Sequence, residues 1–281
     1  MESRPVTRRL ALLGGTGAVA TGAFFAAPQS ASAAITGAQL HARLGAYDAS
    51  RSGPVAVSVH DRRTRVSWSY NGTWHNETLS IVKVLILATV LRRCQERQVS
   101  LTSTQRSQAV AMITRSDNSA TNALLTWVGV ASVRRVAGLY GLTSTVIQGG
   151  TTAGAASWWG YSTTTAADQA SLMVKIVWGS SSVLTTANRE YIKSLMRQVI
   201  SSQRWGVCAP PLPTSNQWTT KNGWGPLSGG YRLNSIGYIY GNGRDYAAAI
   251  LTRSPAGYSY GLTTINGVSK VLYDALAQPL V

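Results

Sequence analysis

The chain has 281 residues, 44% of them hydrophobic, and carries 26 basic against 10 acidic side chains, a formal charge of +16. That length can bury a full core as one large domain or two interleaved lobes, and no linker, internal repeat or low-complexity segment follows the N-terminal stretch. With three histidines and two cysteines, none at metal-ligand spacing, zinc chemistry has no support and no cofactor is expected.

Residues 1–33 read as an export leader of the twin-arginine type. Thr7-Arg8-Arg9-Leu10 carries the arginine pair, an apolar run extends from Leu10 to Ala27, and Ala31-Ser32-Ala33 offers a small-residue cleavage site. A membrane anchor is the alternative, but Gly14, Gly15, Gly17 and Gly22 interrupt a run already short for a span. The expected mature chain is 34–281, secreted, with membrane contact only during export. Without Arg4, Arg8, Arg9 and Glu2 it holds 23 basic against 9 acidic groups, a formal +14. Export and the scatter of the arginines argue against nucleic acid. An exported cation is drawn to an anionic cell-wall polymer or substrate. Arginine-biased codon usage explains the excess as well, since Arg outnumbers Lys 21 to 5.

An amphipathic helix is predicted over Ile35–Tyr47. Two β-rich runs, Val55–Val59 and Arg65–Tyr70, follow around a polar turn and make a hairpin. Helical pattern then dominates: Ser80–Gln98, Ser103–Thr114, Ser119–Val128, Val133–Tyr140, Thr165–Trp178 and Ala187–Gln198. Strands return at Gln217–Lys221, Ile236–Tyr240 and Tyr246–Thr252, before a last helix near Leu262–Ala277. Cys94 and Cys208 could bridge outside the cytoplasm, but sequence cannot give their separation.

Three short motifs stand in order along this map: Ser80-Ile81-Val82-Lys83, Ser116-Asp117-Asn118 and Lys221-Asn222-Gly223. Only five lysines occur, and two of them fall in these motifs. The set resembles S-x-x-K, S-D-N and K-T-G of the serine β-lactamase and penicillin-binding protein superfamily, and Ser119-Ala120-Thr121-Asn122 extends the likeness past the middle triplet. The resemblance implies an α/β fold of α+β type. An antiparallel sheet with flanking terminal helices (about 34–79 and 200–281) would stand beside an all-α lobe (about 80–199), with the catalytic cleft between them.

A serine hydroxyl needs a base before it attacks a carbonyl. Ser80 and Lys83 share a helix face at i and i+3, so the Lys83 amine can serve once burial lowers its pKa by roughly 3 units. The resemblance makes Lys221 a second cation facing Lys83 across the cleft, and Ser116 the proton shuttle to the leaving nitrogen. Asn118 would hold the substrate amide and the Lys83 amine, while Asp117 buttresses the loop. Gly223 would let substrate lie against its strand, and the amides of Ser80 and Trp224 would form the oxyanion hole. Asn222 replaces the usual hydroxyl but still offers an amide to a substrate carboxylate. Arg232 is either the second half of that clamp or a surface arginine.

The resemblance breaks at deacylation. Class A β-lactamases carry a water-activating glutamate on the loop before the next helix. Here Gln148–Tyr161 holds no acid, and only Asp168 and Glu190 lie between Asn118 and Lys221. The implied enzyme forms an acyl-enzyme on Ser80 with a β-lactam, a D-alanyl peptide, or an ester or amide of similar shape, and releases it slowly. An efficient β-lactamase with another base and a non-catalytic wall- or ligand-binding protein remain open. Trp158, Trp159, Trp205 and Trp224 either line an aromatic substrate site or pack in the core.

Overall fold

The computed structural model describes residue 1 and residues 34–149, 158–179 and 183–281. The leader reading lies outside the described residues, as does the 150–157 part of the acid-free loop. Helix α1 (Gly37–Asp48) starts at a capping box, in which the Thr36 hydroxyl accepts from Gln39 N and the Gln39 side chain accepts from Thr36 N. Strands β1 (Val55–Asp61) and β2 (Val66–Tyr70) form the expected antiparallel hairpin. A short strand β3 (His75–Glu77) and a 3-10 turn, Leu79–Ile81, lead into α2 (Val82–Glu96). Helices α3 (Ser103–Thr114), α4 (Asn118–Val128) and α5 (Val130–Leu139) follow. Strand β4 (Thr163–Thr165) pairs with β3 and precedes α6 (Ala166–Trp178) and α7 (Thr186–Arg197). The chain closes with β5 (Gln217–Leu227), β6 (Gly230–Gly241), β7 (Arg244–Ser254) and α8 (Gly257–Ala275).

The five-stranded sheet runs β2-β1-β7-β6-β5, every neighbouring pair antiparallel. Both faces of its central strands are buried, and β7 shows how. Tyr246, Ala248 and Ile250 join one core with Leu40 and Leu44 of α1 and Ile265, Val268 and Leu272 of α8. Ala247, Ala249 and Leu251 alternate to the other face and join the core of the helical lobe. At the centre of that lobe, α2 packs on α3, α4, α5 and α7. Its residues Val82 to Leu91 are buried without interruption, so this helix is apolar on all sides. Each such Leu or Ile contributes about 1.5–3 kcal/mol, which anchors the turn of the chain just before it.

The antiparallel sheet with terminal helices and an all-α lobe matches the expected fold class. Strands β5 and β6 run several residues further than predicted. β5 continues through Gly223, Gly225 and Pro226, which a strand at the sheet edge tolerates because proline's missing donor faces no partner there. The β3–β4 pair was not predicted, since three-residue segments of His-Asn-Glu and Thr-Thr-Thr carry no apolar alternation. Cys94 and Cys208 are both buried free thiols.

Candidate active site

Ser80 sits in the 3-10 turn rather than in the helix proper, and Lys83 lies in the first turn of α2. No side chain caps either element, so the Ser80 hydroxyl is not used as a cap. Leu79, just before it, holds φ at 45°. Ser116, in the connection from α3 to α4, has φ of 60°. Left-handed backbone at a side-chain-bearing residue costs of order 1–3 kcal/mol and survives only where the surroundings enforce it. Here it lets Ser116 present both its carbonyl and its hydroxyl to one neighbour. Asp117 closes the segment as N-cap of α4, accepting from Ala120 N at 2.7 Å, which is the buttressing role expected of it.

Two elements, α2 and β5, converge on the Ser116 hydroxyl. Lys83 Nζ of α2 donates to Ser116 O at 2.6 Å and to Asn118 Oδ1 at 2.8 Å, with Ser116 Oγ at 3.2 Å. Lys221 Nζ of β5 lies 3.0 Å from Ser116 Oγ and donates to Asn222 O at 2.9 Å. The Ser80 hydroxyl is not among Lys83's partners in this geometry, so a side-chain rotation must precede any proton transfer between them.

Both lysines are fully buried. Burial pulls Lys83 down to about 7, against the Asp117 carboxylate, which pulls it up. Its place at the positive end of α2 works in the same direction as burial. Lys221 is also driven well below its ordinary value, first by burial and then by the charge of Lys83. The expectation is that Lys221 lowers Lys83; instead burial dominates at Lys83, and the charge effect runs from Lys83 onto Lys221. The contacts also suit a neutral Lys83. Two N–H groups serve the Ser116 carbonyl and Asn118 Oδ1, leaving a lone pair for the Ser116 proton, while Ser116 Oγ accepts from Lys221. This arrangement can move a proton between a hydroxyl and an amine without solvent.

Strand β5 passes directly over the turn that carries Ser80. A Cβ on Gly223 would fall 2.7 Å from both Ser80 N and Thr78 O and 2.9 Å from Ile81 N. The missing side chain therefore makes room for the chain's own backbone, where a place for substrate was expected. On the other flank, Asn234 of β6 donates to Glu77 O at 2.7 Å and Thr78 O at 3.3 Å, and accepts from Asn76 at 2.9 Å. These buried amides brace the turn. Sequence reasoning missed them because neither Asn76 nor Asn234 fell within a predicted strand.

Two expected substrate donors are used internally. Asn222 is fully buried and donates both amide protons to the carbonyls of Gln203 (2.7 Å) and Trp205 (3.0 Å). Arg232 is 3% exposed and forks onto Glu77 at 2.7 and 3.1 Å, with its remaining nitrogen on the carbonyls of Ser228 and Gly230. It is neither a substrate clamp nor a surface arginine. It is a strut between β6 and β3, and this contact holds the Glu77 carboxyl below its ordinary range. Arg232→Ala is accordingly expected to cost about 1–3 kcal/mol of stability by leaving Glu77, a quarter exposed, with only the longer contact to Arg253 at 4.0 Å. Chemical denaturation measures that loss; an unchanged midpoint with weakened substrate binding would restore the clamp.

Of the tryptophans, Trp205 is buried and meets partly buried Trp224 edge-on, with centroids 5.8 Å apart, beside the α1–α8 core. The Trp158 side chain lies outside the described part. Trp159 is buried with its ring centroid 4.7 Å from Lys83 Nζ, and its indole donates to Asn122 of α4 at 2.8 Å. Asp168 is buried at the start of α6, accepting from Ser144 N and the Thr145 hydroxyl at 2.9 and 2.7 Å, which makes it a structural acceptor.

An antiparallel sheet flanked by terminal helices, with a serine on the first helical turn of the α-lobe and two lysines meeting at a second serine, defines a serine hydrolase of β-lactamase-like class. The model of the beta-lactamase enzyme family matches residues 104–276, more than half of the chain, and the chain belongs to that family. That stretch takes in Ser116 and Lys221. Among solved structures, the TLA-1 extended spectrum β-lactamase superposes with a TM-score of 0.74 at 18% identity over 85% of this chain and 99% of that one. A class A β-lactamase from Bacteroides cellulosilyticus DSM 14838 gives 0.73 at 16% identity over 86% and 99%. PBP-A gives 0.73 at 22% identity over 86% and 97%. At these identities the likeness shows the fold. No curated protein sequence matches the chain.

Proposed function

We propose that this protein is an exported serine hydrolase that takes an acyl group onto Ser80 from a β-lactam or D-alanyl-peptide-like amide and releases it slowly. The observation that carries the reading is the buried Lys83–Ser116–Lys221 relay beside the Ser80 turn. Lys83 as free amine removes the Ser80 proton while Ser80 Oγ attacks the carbonyl carbon. The oxyanion that forms is met by backbone amides at Ser80 and Trp224. Collapse breaks the C–N bond, and the departing nitrogen receives its proton through Ser116, resupplied from the lysine pair. Release needs a water to be deprotonated beside the ester, and the loop Gln148–Tyr161 supplies no carboxylate for this. With Asn222 and Arg232 engaged elsewhere, recognition of a substrate carboxylate by those two donors is lost, which favours modest affinity for penicillins. The twin-arginine leader supports export, and the formal +14 of the mature chain supports attraction to an anionic wall polymer.

Burst kinetics test the reading. Benzylpenicillin hydrolysis is expected to show one equivalent consumed per enzyme and then a slow steady phase. Because protonated Lys83 cannot accept the Ser80 proton, the burst rate should fall about tenfold per pH unit below about 7 and level off above it. Fast linear turnover without a burst would show an efficient β-lactamase with another water-activating group. Release of D-alanine from a D-alanyl-D-alanine peptide would assign the peptidase variant.

A further inference from the structure

Trp159 is the aromatic group of the site with the closest bearing on the base. It is 4% exposed, its face lies over Lys83 Nζ at 4.7 Å, and its N–H is fixed 2.8 Å from Asn122 Oδ1. Asn122 stands one turn along α4 from Asn118, which itself accepts from Lys83 at 2.8 Å. One helix therefore positions both the amine and the ring that covers it. The ring comes from the far end of the acid-free loop, within the 3-10 turn Trp158–Tyr161 that precedes β4.

We infer that Trp159 is a positioning residue that roofs the Lys83 amine, keeping it dry enough to act as a free base and keeping water away from the acyl ester beside it. The charged groups facing Lys83 are Asp117, from the connection between α3 and α4, and Lys221 of β5, met through the Ser116 hydroxyl. Asp117 favours the ammonium form, so the neighbouring charges do not account for a free amine. The indole face attracts a cation and works against deprotonation. Lys83 nevertheless lies far below its ordinary value, and burial is the leading cause, so exclusion of water outweighs the attraction of the ring. The same roof gives a physical reason for slow release, since the side of the amine that a hydrolytic water would approach is covered by hydrocarbon. This inference rests on the acyl-enzyme reading for its consequence, but its first test does not.

With five lysines in the chain, ¹³C-lysine labelling and NMR titration follow each amine directly, Lys83 being assigned by its loss in Lys83→Arg. The wild type is expected to titrate near 7 at Lys83. Trp159→Ala should raise that midpoint by one unit or more, while Trp159→Phe, which keeps an aromatic cover but gives up the bond to Asn122, should raise it by less. Asn122→Leu, which frees the indole without opening a hole, should move it in the same direction as Ala and keeps the test available if Trp159→Ala does not fold. In parallel, the benzylpenicillin adduct should decay several-fold faster in Trp159→Ala than in wild type. An unmoved Lys83 midpoint in both Trp159→Ala and Asn122→Leu would overturn the inference, whatever the adducts do. A moved midpoint in a protein that never forms an adduct would uphold the roof and sink the acyl-enzyme reading instead.

Discussion

Lys83→Arg is expected to slow acylation of Ser80 by about 10²–10⁴-fold, the usual contribution of a positioned general base. The substitution keeps a cation and its donors to Ser116 O and Asn118 Oδ1, but a guanidinium does not deprotonate in a protein. It therefore separates a lysine that acts as a base from one that merely braces the loop. Lys83→Met should lose as much rate by a different route, removing charge and base together and leaving Ser116 O and Asn118 Oδ1 without this donor. Adduct formation against time, measured by mass, gives the rate, and thermal melts report whether either variant is still folded. If Lys83→Arg acylates at the wild-type rate, the base is elsewhere and the relay through Ser116 has no catalytic role.

Gly223→Ala should cost about 10²-fold in acylation and about 1–3 kcal/mol in stability, although it adds a single methyl group. The new Cβ would sit 2.7 Å from Ser80 N and Thr78 O and 2.9 Å from Ile81 N, all backbone atoms with no rotamer to yield. Neither side can easily retreat. β5 is held in register by Gly223 opposite Asn234, and that same Asn234 grips the carbonyls of Glu77 and Thr78. The turn carrying Ser80 must shift by several tenths of an ångström, which is enough to misalign a nucleophile. Gly225→Ala is the control: its Cβ meets only the Leu79 side chain, at 3.6 Å, and should be tolerated. Equal activity of Gly223→Ala and wild type would mean that the turn is softer than its contacts imply.

Much of the site was legible because its chemistry is concentrated in rare residues. Lys83 in an otherwise apolar run, and Lys221 as one of few lysines, stood out in the sequence, and the order of the three motifs placed them across a cleft. α1, β1, β2 and α3 to α7 were legible from periodicity, whereas the caps that start α3 and α6, Thr102 and Thr165, were not picked out. What the sequence concealed was direction and occupancy. Asn222 and Arg232 have side chains fit to hold a carboxylate, but nothing in their neighbourhood along the chain tells that Gln203, Trp205 and Glu77 take those donors first. Gly223 was read for its permissiveness toward substrate, whereas the space it leaves is filled by the turn of residues 78–81. The partners in each case lie distant in sequence, so only the packed structure reveals them. Trp159 was ambiguous for the same reason: an indole over a lysine and an indole in a core look alike until Asn122 fixes its orientation.

The most direct measurement is intact-mass spectrometry of the protein with benzylpenicillin over time, beside Ser80→Ala, with peptide mapping of any adduct. The account predicts a stoichiometric, persistent adduct in the wild type, mapped to the peptide containing Ser80, and none in Ser80→Ala. An adduct of equal yield in Ser80→Ala, or ligand held equally by both proteins with no covalent mass in either, would contradict a nucleophilic Ser80 and leave the fold as a binding scaffold.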